Sequence, residues 1–128
     1  MDDRWLLPYR EMSVAQVQVS HQLTLVLDGG ASVDLETEAE LGRVAQNTPG
    51  VATARLVPDR QDVAPALSLF GAEILSAVAF KSGGLRFVFD SGQQLRVKPD
   101  SHFEAWGAIG PGTIRVVSQP GGGLAVWR

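Results

Sequence analysis

The chain has no cysteine, and histidine occurs only at His21 and His102. The first absence excludes a disulfide framework, a thiolate metal site and a thiol nucleophile. The second leaves any zinc site short of ligands unless carboxylates or a second subunit supply them. Lysine is scarce too: Lys81 and Lys98 are the only two among 11 basic residues, which face 14 acidic ones for a net charge of −3. The arginines are scattered and no aromatic stacking motif lies among them, so nucleic acid is not an expected partner. No apolar run approaches the roughly 18 residues of a membrane-spanning helix. The opening residues, MDDRWLLPYRE, are acidic with only a short apolar stretch, unlike a signal peptide. The expectation is therefore no membrane and a cytoplasmic location. A nucleophile elbow, an H-E-x-x-H pair and a dinucleotide fingerprint are all missing. Gly121-Gly122-Gly123 is followed by neither a lysine nor a helix start, so it is not a phosphate loop. No cofactor and no metal are expected.

What is present is a globular composition, 45% hydrophobic and 20% charged over 128 residues, enough for a single domain with a real core. Its organising stretch is 85–106. Leu85, Phe87 and Phe89 alternate with Arg86 and Val88, and Leu95 and Val97 alternate with Gln94, Arg96 and Lys98. Period-two alternation of this kind marks half-buried strands. Asp90-Ser91-Gly92 between them offers a tight turn, because Gly92 takes a positive φ without a Cβ penalty. The same pattern stands earlier in LTLVLDGGASVDLET (23–37), offset by 62 residues (90 − 28) when Asp28 is set on Asp90. A strand before each hairpin also recurs, QVQV (16–19) against AVAF (77–80), if one residue slips. The chain thus reads as two related β-meanders, at about 14–37 and 75–98.

Other elements are less regular. Trp5-Leu6-Leu7-Pro8-Tyr9 is apolar enough to dock on the core. Leu41, Val44 and Ala45 are spaced for a short helical turn, and 51–57 for a strand. Asp62 followed by VAPALSLFG predicts a short helix ending at Gly71, with Asp62 as cap and Val63, Ala66, Leu67 and Phe70 as its buried face. TIRVVS (113–118) and LAVW (124–127) predict two last strands joined by a glycine-rich loop. The fold class expected is α+β, mostly antiparallel sheet, with the two meanders forming a sandwich or a partly open barrel around one connecting helix.

Two places hold candidate site residues. Asp34, Glu36, Glu38 and Glu40 alternate, so an extended strand would put them on one face. Arg96 and Lys98 occupy the equivalent places in the second meander with opposite charge, which predicts that the two strands face each other within one chain or across a homodimer. The second place is His102-Phe103-Glu104-Ala105-Trp106. If it is extended, His102, Glu104 and Trp106 project to one side and could serve acid–base chemistry. The plainer reading has Trp106 in the core with Phe103 beside it, while Glu104 accepts hydrogen bonds from loop backbone. His21 reads as a solvated turn residue.

The segments DSGQQLRV, SHFEAW, GPGTIRVV and PGGGLAVW, with WLLPYR and LTLVLDGG before them, resemble a family of small uncharacterised bacterial proteins. That family is a domain of unknown function with a DG hairpin, an EAW segment and a C-terminal PGG-x-LAVW strand. This chain departs from the pattern with Ser91 after Asp90 and with His102-Phe103 before Glu104. Related proteins look similar to immunity proteins that neutralise toxins. The first functional expectation is a non-catalytic protein-binding module, immunity-like, using Asp34, Glu36, Glu38, Glu40, His102, Glu104 and Trp106 toward a basic protein partner. Its alternatives are a small-molecule-binding or hydrolytic domain built on His102 and Glu104, and a self-associating homodimer.

Overall fold

The structure, a computed structural model, describes residues 3–43 and 53–128. Twelve strands run in chain order: β1 Arg4–Leu6, β2 Val14–Val19, β3 Leu23–Leu27, β4 Ala31–Leu35, β5 Ala39–Arg43, β6 Ala54–Leu56, β7 Ile74–Phe80, β8 Leu85–Phe89, β9 Gln93–Val97, β10 Trp106–Ile109, β11 Arg115–Ser118 and β12 Leu124–Trp127. They form two antiparallel six-stranded sheets, one in the order β12-β11-β10-β4-β3-β2 and the other β1-β7-β8-β9-β5-β6. Neither sheet closes on itself. Alternation dictates which side faces inward: Leu25, Val33 and Leu35 of the first sheet and Phe87, Phe89 and Leu95 of the second are all buried in one shared core. Leu7 and Tyr9, next to β1, dock there as expected, and burial pushes the Tyr9 hydroxyl's pKa well above its ordinary value. β11 and β12 pair through the glycine-rich loop as the sequence predicts.

The α component of the expected fold class is not there. Helical turns among the described residues are two 3-10 segments, Pro58–Arg60 and Ala64–Leu69, so the fold is β-rich. The connecting helix expected over 62–71 is the second of these. Val63, Ala66 and Leu69 are buried at a strict period of three, while Leu67 and Phe70 are exposed. Three residues per turn is the 3-10 repeat, and with it the buried face moves off Leu67 and Phe70. Asp62 makes no cap; Val63 holds that position without a side-chain hydrogen bond. Leu41 lies in strand β5 and not in a helical turn; the rest of that turn, and the start of the 51–57 strand, fall outside the described residues.

The two meanders exchange strands. After β4 the chain leaves its sheet, and β5 pairs with β9, Ala39 opposite Val97. After β9 the chain makes the reverse crossing, and β10 pairs with β4, Trp106 opposite Leu35. Leu35 and Val97 are themselves related by the offset of 62 (97 − 35). The preceding strands match at an offset of 60, Val14 to Ile74 and Val19 to Ala79, because Val14 pairs with Leu27 and Ile74 with Phe89. The slip is thus two residues and not one: three residues separate Val19 from its partner Leu23, whereas five separate Ala79 from Leu85.

The relation between the halves passes through Ser13 and Glu73, which bridge each other. Val14 N–H donates to Ala72 O at 2.9 Å, and Ile74 N–H donates to Met12 O at 2.8 Å. Asp28 accepts from Ser13 N–H at 2.9 Å, and Asp90 accepts from Glu73 N–H at 3.0 Å. Glu11 is therefore the counterpart of Gly71, and both have positive φ, 74° and 82°. An L side chain is disfavoured in that region whereas glycine is not. Glu11→Gly should accordingly stabilise the fold by about 0.5–1 kcal/mol, the left-handed penalty outweighing the extra freedom glycine gives the unfolded chain. Urea midpoints check this, with Gly71→Ala expected to shift in the opposite direction.

Candidate functional site

Because Leu85, Phe87, Leu95 and Val97 point into the core, alternation puts Arg86, Arg96 and Lys98 on the outer face of the second sheet. Register then lines up a charged row: Arg86 opposite Arg96, Arg96 opposite Glu40, and Glu40 opposite Arg55. Over this face lies an open groove of about 1160 Å3. Glu36, Glu38 and Glu40 line it from the crossing segment and β5, Arg86, Arg96 and Lys98 from β8 and β9, and Phe80 and Phe103 add aromatic surface. Glu38 is committed to Arg55, whose Nε donates to it at 2.8 Å beside a second bond from the same guanidinium. Arg86 and Arg4 both stack on Phe80, each guanidinium carbon 5.6 Å from the ring centroid.

The acidic stripe is split. Asp34 sits on β4 in the other sheet, half-buried, accepting from the Thr24 hydroxyl at 2.6 Å, and does not line the groove. The strand ends at Leu35 and the chain changes sheets before Ala39, so these four carboxylates never share one strand face. Within one chain the predicted opposition of Asp34 and Glu36 to Arg96 and Lys98 is corrected likewise: β4 and β9 lie in different sheets, and the acidic residue opposite Arg96 is Glu40. Glu36 and Lys98 do meet as lining residues of one groove.

The 102–106 segment is not extended. His102, Phe103 and Glu104 are exposed and precede the strand, which starts only at Trp106. Trp106 is wholly buried and its Nε1 donates to Gly83 O at 2.9 Å, so it presents no surface to a partner. Phe103 is 66% exposed and lines the groove instead of packing beside Trp106. The carboxylate that pins the segment is Asp100, whose Oδ1 accepts from His102 N–H at 2.8 Å and Phe103 N–H at 3.1 Å; Glu104 makes no such bond among the described residues. Neither His102 nor Glu104 lines the groove, and no cluster among the described residues is arranged to hold a metal ion.

Partial desolvation, then the nearby carboxylates Glu104 and Asp34, raise the pKa of Glu36, against weaker opposing effects of His21 and Arg115. A carboxyl whose pKa is higher in the folded chain than in the unfolded one favours folding when protonated; that contribution is lost as pH rises through the folded pKa. Glu36→Gln should therefore raise the thermal midpoint at neutral pH, with the difference shrinking below about pH 4, where the wild-type carboxyl is itself protonated. Thermal melts across that range test it.

Comparison with curated proteins gives no match, and neither does comparison with solved structures. A family model does match, spanning residues 5–128. By that match, which takes in both meanders, the exchanged strands and the groove, the chain belongs to the family of unknown function DUF6188.

Proposed function

We propose that the protein is a non-catalytic protein-binding module, immunity-like in that it covers a basic surface of its partner. The observation that carries this is the acidic wall of the groove: Glu36, Glu38 and Glu40 line it from the crossing segment and β5, and of the three only Glu38 has an ion pair among the described residues. Unneutralised carboxylates on an open groove attract a cationic partner over distance and speed its association. Phe103, exposed at the groove, is a ready apolar anchor for such a contact. Nothing in the placement of His102 and Glu104 favours the hydrolytic alternative, since both lie outside the groove.

The test is capture from native lysate with wild type and a Glu36→Lys/Glu40→Lys variant, which leaves the Glu38–Arg55 pair intact. A partner of basic isoelectric point held by wild type and lost by the folded variant supports the reading. Equal capture by both proteins counts against it.

Self-association is a second reading with its own observation. β7 has its outer edge covered by β1, Leu7 N–H donating to Ala77 O at 2.9 Å, whereas its counterpart β2 ends its sheet with no strand beside it among the described residues. From Ser13 to Gln22 the chain bears no acidic or basic residue except His21, so β2 lacks the charges that usually guard an edge. Sedimentation of wild type against Val17→Lys decides whether β2 pairs with a second copy.

A further inference from the structure

We infer that Arg86, Arg96 and Lys98 form an oxyanion site on the basic side of the groove, one that takes a phosphate monoester group. The site goes beyond the basic-partner reading and stands without it, because it uses the opposite wall.

Register sets Arg86 directly across from Arg96, and like charges so placed repel. Lys98 follows Arg96 on the same face and lines the same groove. None of the three is in an ion pair among the described residues. Ion pairs among the described residues are Arg4 with Asp3 and Arg55 with Glu38, so Glu40, although opposite Arg96 in register, makes none with it. Beside Arg96 lies the neutral Gln94 carboxamide, whose oxygen, in the amide orientation that satisfies both groups, accepts from the guanidinium's Nε and one Nη. Arg86 is held in place by stacking on Phe80, and its Nε is buried without a hydrogen-bond partner. A guanidinium held by stacking, beside a second guanidinium and an ammonium, is an arrangement that receives a doubly charged oxyanion through its outer Nη–H donors. A carboxylate brings one negative charge and a phosphate monoester close to two. Three clustered cations favour the latter.

The experiment is an NMR titration of the 15N-labelled full chain that follows the Nε–H resonances of Arg86 and Arg96 at constant ionic strength. The probes are inorganic phosphate, acetate, phenyl phosphate and a short phosphoserine peptide with its unphosphorylated form. The expected result is saturable movement of both Nε–H signals below about 20 mM phosphate, with acetate about tenfold weaker. Arg86→Gln or Arg96→Gln should weaken phosphate about tenfold, while Arg60→Gln, elsewhere in the groove, leaves it unchanged. The labelled spectra themselves report that each variant is folded. Phenyl phosphate equal to the phosphopeptide identifies a free monoester as the ligand; a tighter phosphopeptide, with its unphosphorylated form silent, identifies a phosphorylated segment. Absence of saturation, acetate matching phosphate, or movement that survives both arginine substitutions would overturn the proposal.

Discussion

Trp106→Ala should destabilise the fold by about 3–5 kcal/mol, the range for removing a large buried aromatic. The side chain is fully buried at the first residue of β10, opposite Leu35, where the second meander's chain enters the first meander's sheet. Its truncation leaves a cavity at the point where the two sheets exchange strands and strips one donor from Gly83 O. Trp106→Phe separates the two losses: most of the volume stays and the hydrogen bond goes, for an expected cost of about 1–2 kcal/mol. Gly83 O also accepts from the Ser118 hydroxyl at 2.8 Å. Because that carbonyl stays bonded if either donor is removed, Trp106→Phe and Ser118→Ala should be more damaging together than the sum of the two alone. Denaturant midpoints for the four proteins of that cycle give the coupling directly.

Trp106 had two readings from the sequence, core and partner contact, and only the first holds; what local pattern shows and what it does not is a matter of range. Alternation within five residues placed β3, β4, β8 and β9 and their inward side chains, since a period of two leaves only one face apolar in LTLVL, ASVDL, LRFVF and QQLRV. Size alone does not separate the buried Trp106 from Phe70, Phe103 and Trp127, which are exposed. The exchange of β5 and β10 depends on contacts between residues tens of positions apart, and no local pattern encodes it. That exchange is what broke the acidic stripe, because Asp34 and Glu40 belong to one alternating run but to different sheets. The 3-10 segment failed for a subtler reason: VAPALSLF satisfies periods of three and of 3.6 about equally, and only packing selects Leu69 over Leu67. Asp100 went unread as the residue that pins 102–106, although an Asp two residues ahead of the turn is the usual side chain for that task. Arg86 had a usable signal. The short turn at Asp90-Ser91-Gly92 fixes the hairpin register, and the register sets Arg86 against Arg96.

Gly83→Ala should cost about 3 kcal/mol or more, although it adds only a methyl group, because two penalties coincide at that position. The backbone has φ +108°, where an L side chain is strained, and a Cβ there would lie 2.9 Å from Pro99 Cβ, 3.1 Å from Gly123 N and 3.2 Å from Ser118 Oγ. Gly112→Ala isolates the first penalty: its φ is +73° and an added Cβ meets nothing, so about 1 kcal/mol is expected. Gly84→Ala is a test of position, since its Cβ would have no neighbour nearer than 3.5 Å. The difference between Gly83 and Gly112 measures the close approach of the β7–β8 turn to the other sheet. That approach also serves the groove. Ser82 O accepts from Gly123 N–H at 3.0 Å, Asp100 O accepts from Gly121 N–H at 2.7 Å, and Ser82, Pro99 and Asp100 all line the groove. Pushing Gly83 away from Pro99 therefore displaces one end of the groove as it weakens the fold. The variant should lose groove-dependent binding at temperatures where circular dichroism still reports it folded, and Gly112→Ala, of milder cost and remote from the groove lining, should not.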